Sequence, residues 1–221
     1  MVNKKTIYDN VKIISFDLDG TLVKSTYANS VWLEGVPKLY AKEKNLPLDL
    51  VKKYVFQEYY KVGENKKEWY DIDWWFKHFK INSSWQELLN EYRFSVELYP
   101  DTIETIKKFS NKFDLIIISN AKKEFIDIQI EETKIRKYFS YAFSSISDFN
   151  TVKKIPKVYK EICDKLKIKT NEIIHIGDSK EFDFKSPKKV GVKSYYINRE
   201  KTEKGNNIIH TLFDLEKIFN I

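Results

Sequence analysis

Five short apolar runs, separated by stretches with helical spacing, constrain the fold of this chain more than any other feature. They lie at residues 11–16, 115–118, 141–143, 173–176 and 195–197. Runs of this length, rich in β-branched and aromatic residues, are typical of buried strands. Strands that alternate with helices indicate a parallel sheet with helices on both faces. The sequence therefore predicts an α/β fold built on a doubly wound parallel sheet.

Helix signals lie between several of these runs. The pair Asp101 and Glu104 resembles a capping box at the start of a helix over 103–109. Further helices are expected over 156–166 and near 212–219. These helices complete a parallel, doubly wound sheet.

The stretch 24–96 interrupts this alternation, because it contains no strand-length β-branched run. Pro47 and Gly63 are placed to start and end one helix, and Ser84 with Glu87 forms a capping box for another. We therefore expect a helical cap domain over 24–96, inserted into a core domain formed by 1–23 and 97–221. Such an insertion is placed to cover a site at the strand ends.

The predicted cap carries all the tryptophans of the chain: Trp32, Trp69, Trp74, Trp75 and Trp85. We expect most of its aromatic side chains to pack within the cap, although some could stack on a substrate. Four cap residues are candidates for substrate contact: Lys24, Tyr27, Trp32 and Lys61. A second Asp-x-Asp pair, Asp71 and Asp73, has no strand before it and is interpreted as a helix start.

Polar groups follow three of the predicted strands. They are Asp17 and Asp19 after the first, Ser119 and Asn120 after the second, and Gly177, Asp178 and Ser179 after the fourth. The carboxyl ends of parallel strands share one edge of the sheet, so these groups can converge there. Asp17 and Asp178, with a backbone oxygen nearby, form an oxygen-only anionic set that suits magnesium. Zinc is disfavoured, because the chain has no cluster of cysteines and histidines.

A carboxylate at this edge could attack phosphorus and form an aspartyl-phosphate. Two like charges at about 4 Å repel by roughly 4 kcal/mol at an effective dielectric of 20, so a metal and a lysine are needed. Lys153 is the candidate lysine. Asp17 would attack, while Asp19 would protonate the leaving alcohol and later deprotonate water.

These residues give the chain a resemblance to the haloacid dehalogenase superfamily, in the branch of magnesium-dependent phosphatases with a helical, C1-type cap. The first motif is matched by Asp17-Leu18-Asp19-Gly20-Thr21 and the second by Ser119-Asn120. The third is matched by Lys153, and the fourth by Gly177-Asp178-Ser179 with Asp183. Lys154 and Lys157 are alternatives to Lys153, and Ser186-Pro187 is expected to cap a helix.

The resemblance implies a role for each matched residue. Asp17 is expected to be the nucleophile and Asp19 the acid and base. The phosphoryl group would be held by Ser119, Asn120 and Lys153. A magnesium ion would be bound by Asp17, by Asp178 and by the backbone of Asp19, and the supporting residues would be Thr21 and Asp183, the latter orienting the loop of the fourth motif.

The resulting hypothesis is a magnesium-dependent phosphatase that hydrolyses a small organic phosphate monoester through an aspartyl-phosphate, similar to phosphoglycolate phosphatases. The alternatives are a phosphomutase or phosphotransferase of the same superfamily, a 2-haloacid dehalogenase and a non-catalytic binding protein. The expected partner is a small phosphorylated metabolite, with no nucleic acid and no membrane, and the chain is expected to be a cytoplasmic monomer or homodimer.

Composition supports these exclusions. The formal charge is +7, but the 39 basic residues are mostly scattered lysines, which are typical of a solvated surface. Cys163 is the only cysteine, so an intramolecular disulfide is impossible and buried packing is expected. No uncharged apolar run approaches the roughly 18 residues of a membrane span. His175, inside the fourth apolar run, is interpreted as a hydrogen-bonded sheet histidine.

Overall fold

A parallel six-stranded sheet forms the centre of the computed structural model, which describes residue 8, residues 10–153 and residues 155–221. The strands lie in the order β3-β2-β1-β4-β5-β6, and every neighbouring pair is parallel. Their bounds are Ile13–Phe16 (β1), Asp114–Ser119 (β2), Tyr141–Ser144 (β3), Ile173–Gly177 (β4), Lys193–Ile197 (β5) and Ile208–Ile209 (β6). The predicted doubly wound parallel sheet is confirmed, and each of the five apolar runs supplies one strand.

Helices lie on both faces of this sheet and also form the segment 24–96. In chain order they are Thr26–Asn29 (α1), Val36–Lys44 (α2), Leu48–Val62 (α3), Ile72–Phe79 (α4), Trp85–Glu91 (α5), Thr102–Phe109 (α6), Lys123–Glu132 (α7), Ser145–Phe149 (α8), Lys157–Leu166 (α9), Ser186–Lys188 (α10) and Asp214–Phe219 (α11). Two π-helical turns, Ser30–Gly35 and Lys180–Lys185, precede α2 and α10. No helix in the described part of the chain is long and apolar enough to span a bilayer.

Alternating side chains of the strands build the two layers of the core. Ile14 and Phe16 of β1 pack on one face in a cluster that includes Phe109 of α6 and Leu215 of α11. Ile13 packs on the other face with residues of α9. Cys163 belongs to that second cluster and is buried and unpaired by any disulfide, in agreement with the expectation for a lone cysteine.

Residues 24–96 are all described and contain helices but no strand. As predicted, α3 begins after Pro47 and ends at Gly63, and the Ser84 hydroxyl accepts a hydrogen bond from the Glu87 backbone N–H at 3.2 Å before α5. The segment has an aromatic core of its own around the fully buried Trp75. The exact boundaries of a separate cap domain stay a prediction.

The chain leaves the sheet for this segment and returns to it at one place. Val23 and Leu98 form an antiparallel bridge. Beside it, the Lys24 backbone N–H donates to the Glu97 carbonyl at 2.8 Å. The two connections are therefore hydrogen-bonded to each other.

The predicted start of α6 at Asp101 is confirmed, because the helix begins at Thr102, but the capping roles predicted for the side chains of Asp101 and Ser186 are wrong. Asp101 does not cap α6, because its carboxylate accepts hydrogen bonds from the Leu212 backbone N–H at 2.8 Å and from the Arg199 guanidinium at 3.0 and 3.2 Å. Ser186 lies within a helical run that continues from the π-helical turn, so no free helix start is present there. Its hydroxyl donates to the Lys153 carbonyl at 2.5 Å instead.

Candidate active site

The polar groups that follow β1, β2 and β4 meet at one edge of the sheet, because these three strands are neighbours in the order β2-β1-β4. Asp17, Asn120 and Asp178 each come directly after their strand. They line a cavity of about 610 Å³ between this edge and the helices of residues 24–96. The convergence expected at the carboxyl ends of a parallel sheet is present.

Lys153 joins two of the carboxylates at the floor of this cavity. Its ammonium donates to Asp17 Oδ1, to Asp183 Oδ1 at 2.6 Å and to the Ile118 carbonyl at 3.1 Å. The lysine is 2% exposed, so its charge is compensated by protein groups and not by bulk water. Burial alone would lower the pKa of Lys153, but the charges of Asp17 and Asp183 outweigh burial and raise it. Lys153 is therefore a fixed cation beside Asp17.

The alternatives to Lys153 are not brought to this position. Lys157 is exposed on α9 and pairs with Glu161 at 3.0 Å. Lys154 lies outside the described residues. The structure therefore places Lys153, in the register chosen from the sequence, against Asp17.

Asp183 connects the lysine to the interior of the sheet. Its Oδ1 accepts from Lys153 and from His175 Nε2 at 3.0 Å, and its Oδ2 accepts from the Ser179 backbone N–H at 2.9 Å. Burial opposes the charge on Asp183, but Lys153 and His175 lower its pKa below the usual range. The carboxylate stays ionised, and it ties the loop after β4 to Lys153.

His175 is fully buried in β4 between Asp183 and Ser15 of β1. Its Nδ1 lies 2.9 Å from the Ser15 hydroxyl. Burial lowers the pKa of His175. Because the Asp183 carboxylate can only accept, a neutral ring carries its hydrogen on Nε2 and leaves Nδ1 as an acceptor facing the Ser15 hydroxyl, which is also within 3.1 Å of the Ile174 carbonyl. The interpretation of His175 as a hydrogen-bonded sheet histidine agrees with these contacts.

Three carboxylates lie close together next to this network. One oxygen from each of Asp17, Asp178 and Asp183 can be chosen so that all three lie within 4.8 Å of one another. Asp178 reaches the solvent of the cavity, yet burial by the surrounding protein and the charge of Asp183 raise its pKa to about 7. Burial, together with the charges of Asp183 and Asp178, also raises the pKa of Asp17. Lys153 supplies too little positive charge to offset this cluster.

These raised pKa values and the all-oxygen donor set fit a hard divalent cation such as magnesium. Asp17 and Asp178 are the residues placed to hold it. The Asp19 carboxylate is not part of the cluster. Its assignment to the metal, made through its backbone oxygen, stays a prediction.

Asp19 lies beside the cluster in a different environment. Among the described residues its Oδ1 has no hydrogen-bond partner, and its Oδ2 accepts from Gln129 Nε2 of α7 at 3.4 Å. Burial raises the pKa of Asp19 to about 6, against the opposing effect of the Gln129 hydrogen bond. Asp19 is therefore much easier to protonate than an ordinary aspartate.

Two glycines allow the acidic groups to approach this closely. Gly20 has a φ of +78°, and a Cβ there would lie 2.1 Å from Asp178 Oδ2. A Cβ on Gly177 would lie 2.3 Å from the carboxylate carbon of Asp183. Thr21, predicted to support the site, is buried and its hydroxyl lies 3.5 Å from Asp178 Oδ1.

Ser119 and Asn120 both line the cavity, but their side chains make different hydrogen bonds within the protein. The Ser119 hydroxyl accepts from the Ala121 backbone N–H at 3.1 Å. Asn120 Oδ1 accepts from the Ser145 hydroxyl at 2.6 Å and from the Lys153 backbone N–H at 2.8 Å. Asn120 thus positions the Lys153 loop. Its amide nitrogen, which also hydrogen-bonds to Tyr70, is the part of the side chain that can donate toward a phosphoryl group.

Of the four cap residues singled out in the sequence, only Trp32 lines the cavity. Tyr27 is buried, with its hydroxyl donating to the Leu89 carbonyl at 3.2 Å. Lys24 pairs with Glu97, and the exposed Lys61 pairs with Glu58 at 2.5 Å. The expectation for these three residues is wrong, because nearer partners hold their polar groups away from the cavity.

Sequence reasoning missed Gln129 and the contact between His175 and Asp183. Gln129 is a fully buried polar residue between Ile126 and Ile130 on the inner face of α7. A lone amide on an otherwise apolar helix face is the signal that could have singled it out.

Comparison with known proteins places these motifs in a family. The family model for haloacid dehalogenase-like hydrolases matches residues 14–197. The chain is similar to GMP/IMP nucleotidase YrfG of Escherichia coli, with 22% identity over 78% of this chain and 76% of that protein. It also matches (S)-2-haloacid dehalogenase 4A of Burkholderia cepacia at 26% identity over 51% of this chain, which spans about half (48%) of that relative's length.

A solved structure gives the same assignment. The crystal structure of an HAD phosphatase from Thermococcus onnurineus superposes with a TM-score of 0.83 and 26% identity, covering 95% of this chain and 98% of that chain. The match of the family model over residues 14–197 includes all the motif residues described above. The chain belongs to the family of haloacid dehalogenase-like hydrolases.

Proposed function

We propose that this protein is a magnesium-dependent phosphatase that hydrolyses a small organic phosphate monoester through an aspartyl-phosphate on Asp17. One observation carries the proposal: the Asp17 carboxylate lies against the Lys153 ammonium, with the carboxylates of Asp178 and Asp183 close by. A nucleophile, a fixed cation and a cation site are what attack on an anionic phosphoryl group requires. The similarity to an HAD phosphatase and to a nucleotidase supports phosphate ester hydrolysis.

In the first half of the reaction, a carboxylate oxygen of Asp17 attacks phosphorus and the bond from phosphorus to the leaving oxygen breaks. Asp19 gives its proton to that oxygen, so the alcohol leaves neutral. The raised pKa of Asp19, about 6, supports this role, because the group must carry a proton when the substrate binds. Lys153 offsets negative charge on the phosphoryl oxygens.

In the second half, Asp19 is a carboxylate and takes a proton from water. The water oxygen attacks phosphorus, the bond between phosphorus and Asp17 breaks, and inorganic phosphate leaves with the carboxylate regenerated. Asp183 and Asn120 hold Lys153 in place throughout, through its ammonium and its backbone N–H. Bound magnesium, held by Asp17 and Asp178, would supply electrostatic neutralisation of the phosphoryl charge.

The direct test measures phosphate release from p-nitrophenyl phosphate by the purified protein, with magnesium chloride and with EDTA. We expect activity only with magnesium, and a loss of several orders of magnitude in Asp17→Asn. Because 2-phosphoglycolate represents the substrate class implied by the sequence resemblance, it is assayed in the same way. Equal rates in wild type and Asp17→Asn would favour a non-catalytic binding protein.

Two further measurements separate the related reactions. Trapping of a phosphate adduct on Asp17 by mass spectrometry after acid quench would identify the intermediate, and Asp19→Asn is expected to increase its yield. Product analysis distinguishes release of phosphate from transfer to a second hydroxyl, which a phosphomutase would give. Release of chloride from 2-chloropropionate, faster than phosphate release from any ester, would instead favour the dehalogenase activity that one relative's name describes.

A further inference from the structure

The cavity above Asp17 is larger than a phosphoryl group with a two-carbon alcohol requires. Its volume of about 610 Å³ lies within the range of about 300–1,000 Å³ typical of sites that enclose drug-sized molecules. The carboxylates and Lys153 occupy the end formed by the sheet. The space toward the helices of residues 24–96 is therefore available to the leaving group.

Aromatic side chains form much of the wall around that space. Six of them are Trp32, Phe56, Tyr59, Trp69, Tyr70 and Phe125. The rings of Trp32 and Phe125 are stacked, with centroids 5.6 Å apart and planes at 5°. Tyr59 packs edge-on against both Trp32 and Trp69, at 5.9 and 6.2 Å.

Part of this wall is still open to a ligand. Trp32, Phe56 and Trp69 are only half-buried, although they line the cavity. Burial of the remaining ring surface against another flat ring would remove apolar area from water and add an aromatic contact. The wall is suited to stacking and not to holding a small aliphatic group.

The charges of the cavity wall favour a leaving group that carries no negative charge. Lys122 lines the cavity but pairs with Asp71 at 2.7 Å, and Lys153 is engaged by Asp17 and Asp183. The residue of the helical segment that adds a charge to the wall is the acidic Glu64. Among the described lining residues, no cation is therefore left over for a second anionic group of the substrate. A carboxylate on the leaving group would be desolvated there without a partner.

Taken with the proposed phosphatase function, on which this inference rests, the geometry points to a leaving group that carries a flat aromatic ring and no negative charge. Such a substrate is a nucleoside 5′-monophosphate or an arylmethyl phosphate, with its ring against Trp32, Phe56 and Trp69. Both kinds of substrate place an aromatic ring against the wall. They differ in whether a ribose links that ring to the phosphate.

The test compares substrates whose leaving oxygens are alike. Adenosine 5′-monophosphate and ribose 5-phosphate release the same kind of primary alkoxide, and so do benzyl phosphate and cyclohexylmethyl phosphate. We expect the aromatic member of each pair to have a kcat/KM higher by roughly tenfold, about the effect of one stacked ring. A higher kcat/KM for adenosine 5′-monophosphate than for benzyl phosphate would identify nucleoside monophosphates as the substrate class. The reverse order would identify arylmethyl phosphates.

Substitution of the wall links the preference to these residues. In Phe56→Leu and Trp69→Leu the ratio between adenosine 5′-monophosphate and ribose 5-phosphate is expected to fall by at least about threefold. Tyr54→Leu, which removes an exposed aromatic ring from the same helix as Phe56, is the matched control and should keep the wild-type ratio. Thermal melting verifies that each variant is folded.

Two outcomes would overturn the inference while leaving the phosphatase proposal intact. One is equal turnover within both pairs, and the other is 2-phosphoglycolate turned over faster than adenosine 5′-monophosphate. If no ester is hydrolysed at all, the phosphatase proposal fails, and calorimetric binding to Asp17→Asn still tests the ring. Adenosine 5′-monophosphate is expected to bind this variant roughly tenfold more tightly than ribose 5-phosphate, and equal affinities would overturn the inference.

Discussion

Asp19 and Asp17 are separated by one residue, yet their surroundings give them different chemistry. Asp17 faces Lys153, whereas Asp19 faces the neutral amide of Gln129 and has one buried oxygen without a partner among the described residues. Burial of Asp19 outweighs the lowering effects of the Gln129 hydrogen bond and of the Lys153 charge, and its pKa rises to about 6. A carboxyl group with this pKa can exchange a proton near neutral pH.

The first prediction concerns this proton. Since the protonated form of Asp19 is the acid, kcat/KM for an ester with a poor alcohol leaving group should fall above a pH of about 6, by up to about tenfold per pH unit. Asp19→Asn should be slower and should lose this alkaline limb. The pH profile is measured at saturating magnesium, and an unchanged limb in Asp19→Asn would assign the proton to another group.

A second prediction concerns Gln129. Its amide donates to the Asp19 carboxylate and so favours the ionised form, which lowers the pKa of Asp19. Gln129→Leu should therefore raise that pKa and move the alkaline limb of kcat/KM to higher pH. Asp127→Asn, a half-exposed position on the same helix, is the control and should leave the limb in place. A limb that moves to lower pH would contradict the assigned hydrogen bond.

At the scale of residues, the sequence predicted the polar groups that directly follow strands and the lysine of the third motif. It missed the polar group that a helix places over the sheet. Asp17 and Asp178 could be identified because each comes directly after an apolar run, and Lys153 because it matches a family motif. Gln129 could not, because its contact with Asp19 depends on how α7 lies over the sheet. The residue roles proposed for the reaction stay predictions until the variants are assayed.

At the scale of elements, the residue that precedes α4, Asp71, makes two separate contacts. The Asp71 carboxylate accepts from the Asp73 backbone N–H at 3.2 Å and so caps the helix. The same oxygen pairs with Lys122, which lies beyond β2, at 2.7 Å. The interpretation of this second Asp-x-Asp pair as a helix start agrees with the cap, while the ion pair was not predicted.

Asp71→Ala should therefore lower the free energy of unfolding by about 1–2 kcal/mol, because it removes a cap and a partly exposed ion pair. Asp71→Asn retains an oxygen that can cap and should lose less than half as much. Both are measured by urea unfolding at neutral pH. Equal losses in the two variants would place the whole effect in the ion pair with Lys122.

Elements with a regular pattern were predictable and irregular ones were not. The apolar runs identified β1 to β5, whereas β6 contains only Ile208–Ile209 and is too short to show a period. The two π-helical turns have no sequence signal of their own, yet both carry residues of the cavity wall, Trp32 in one and Asp183 in the other. Such turns are frequent at functional sites, where an extra residue per turn redirects a side chain.

At the scale of the whole molecule, the carboxylate cluster links metal binding to stability. A cation that binds the folded chain alone stabilises it, by about 2.7 kcal/mol at a concentration one hundred times its Kd. We expect magnesium chloride to raise the melting temperature at pH 8 relative to sodium chloride of equal ionic strength. The rise should shrink below pH 7, because Asp178, with a pKa of about 7, then binds protons instead.

Asp178→Asn provides the control for this measurement. It removes one of the three clustered carboxylates, so most of the magnesium-dependent rise in melting temperature should disappear at pH 8. A rise of equal size at pH 5.5 and pH 8 in the wild type would show that protonation of the cluster does not compete with the cation.

The chain leaves the sheet for residues 24–96 and returns to it at the same place. This has a consequence for how such proteins diversify. Residues 24 and 97 lie one backbone hydrogen bond apart, so the whole intervening segment begins and ends at nearly the same point in space. A segment of another length or shape could be spliced in there without shifting the register of any strand. The chemistry on the sheet could thus be inherited unchanged while the part of the cavity wall that residues 24–96 supply is exchanged as a unit.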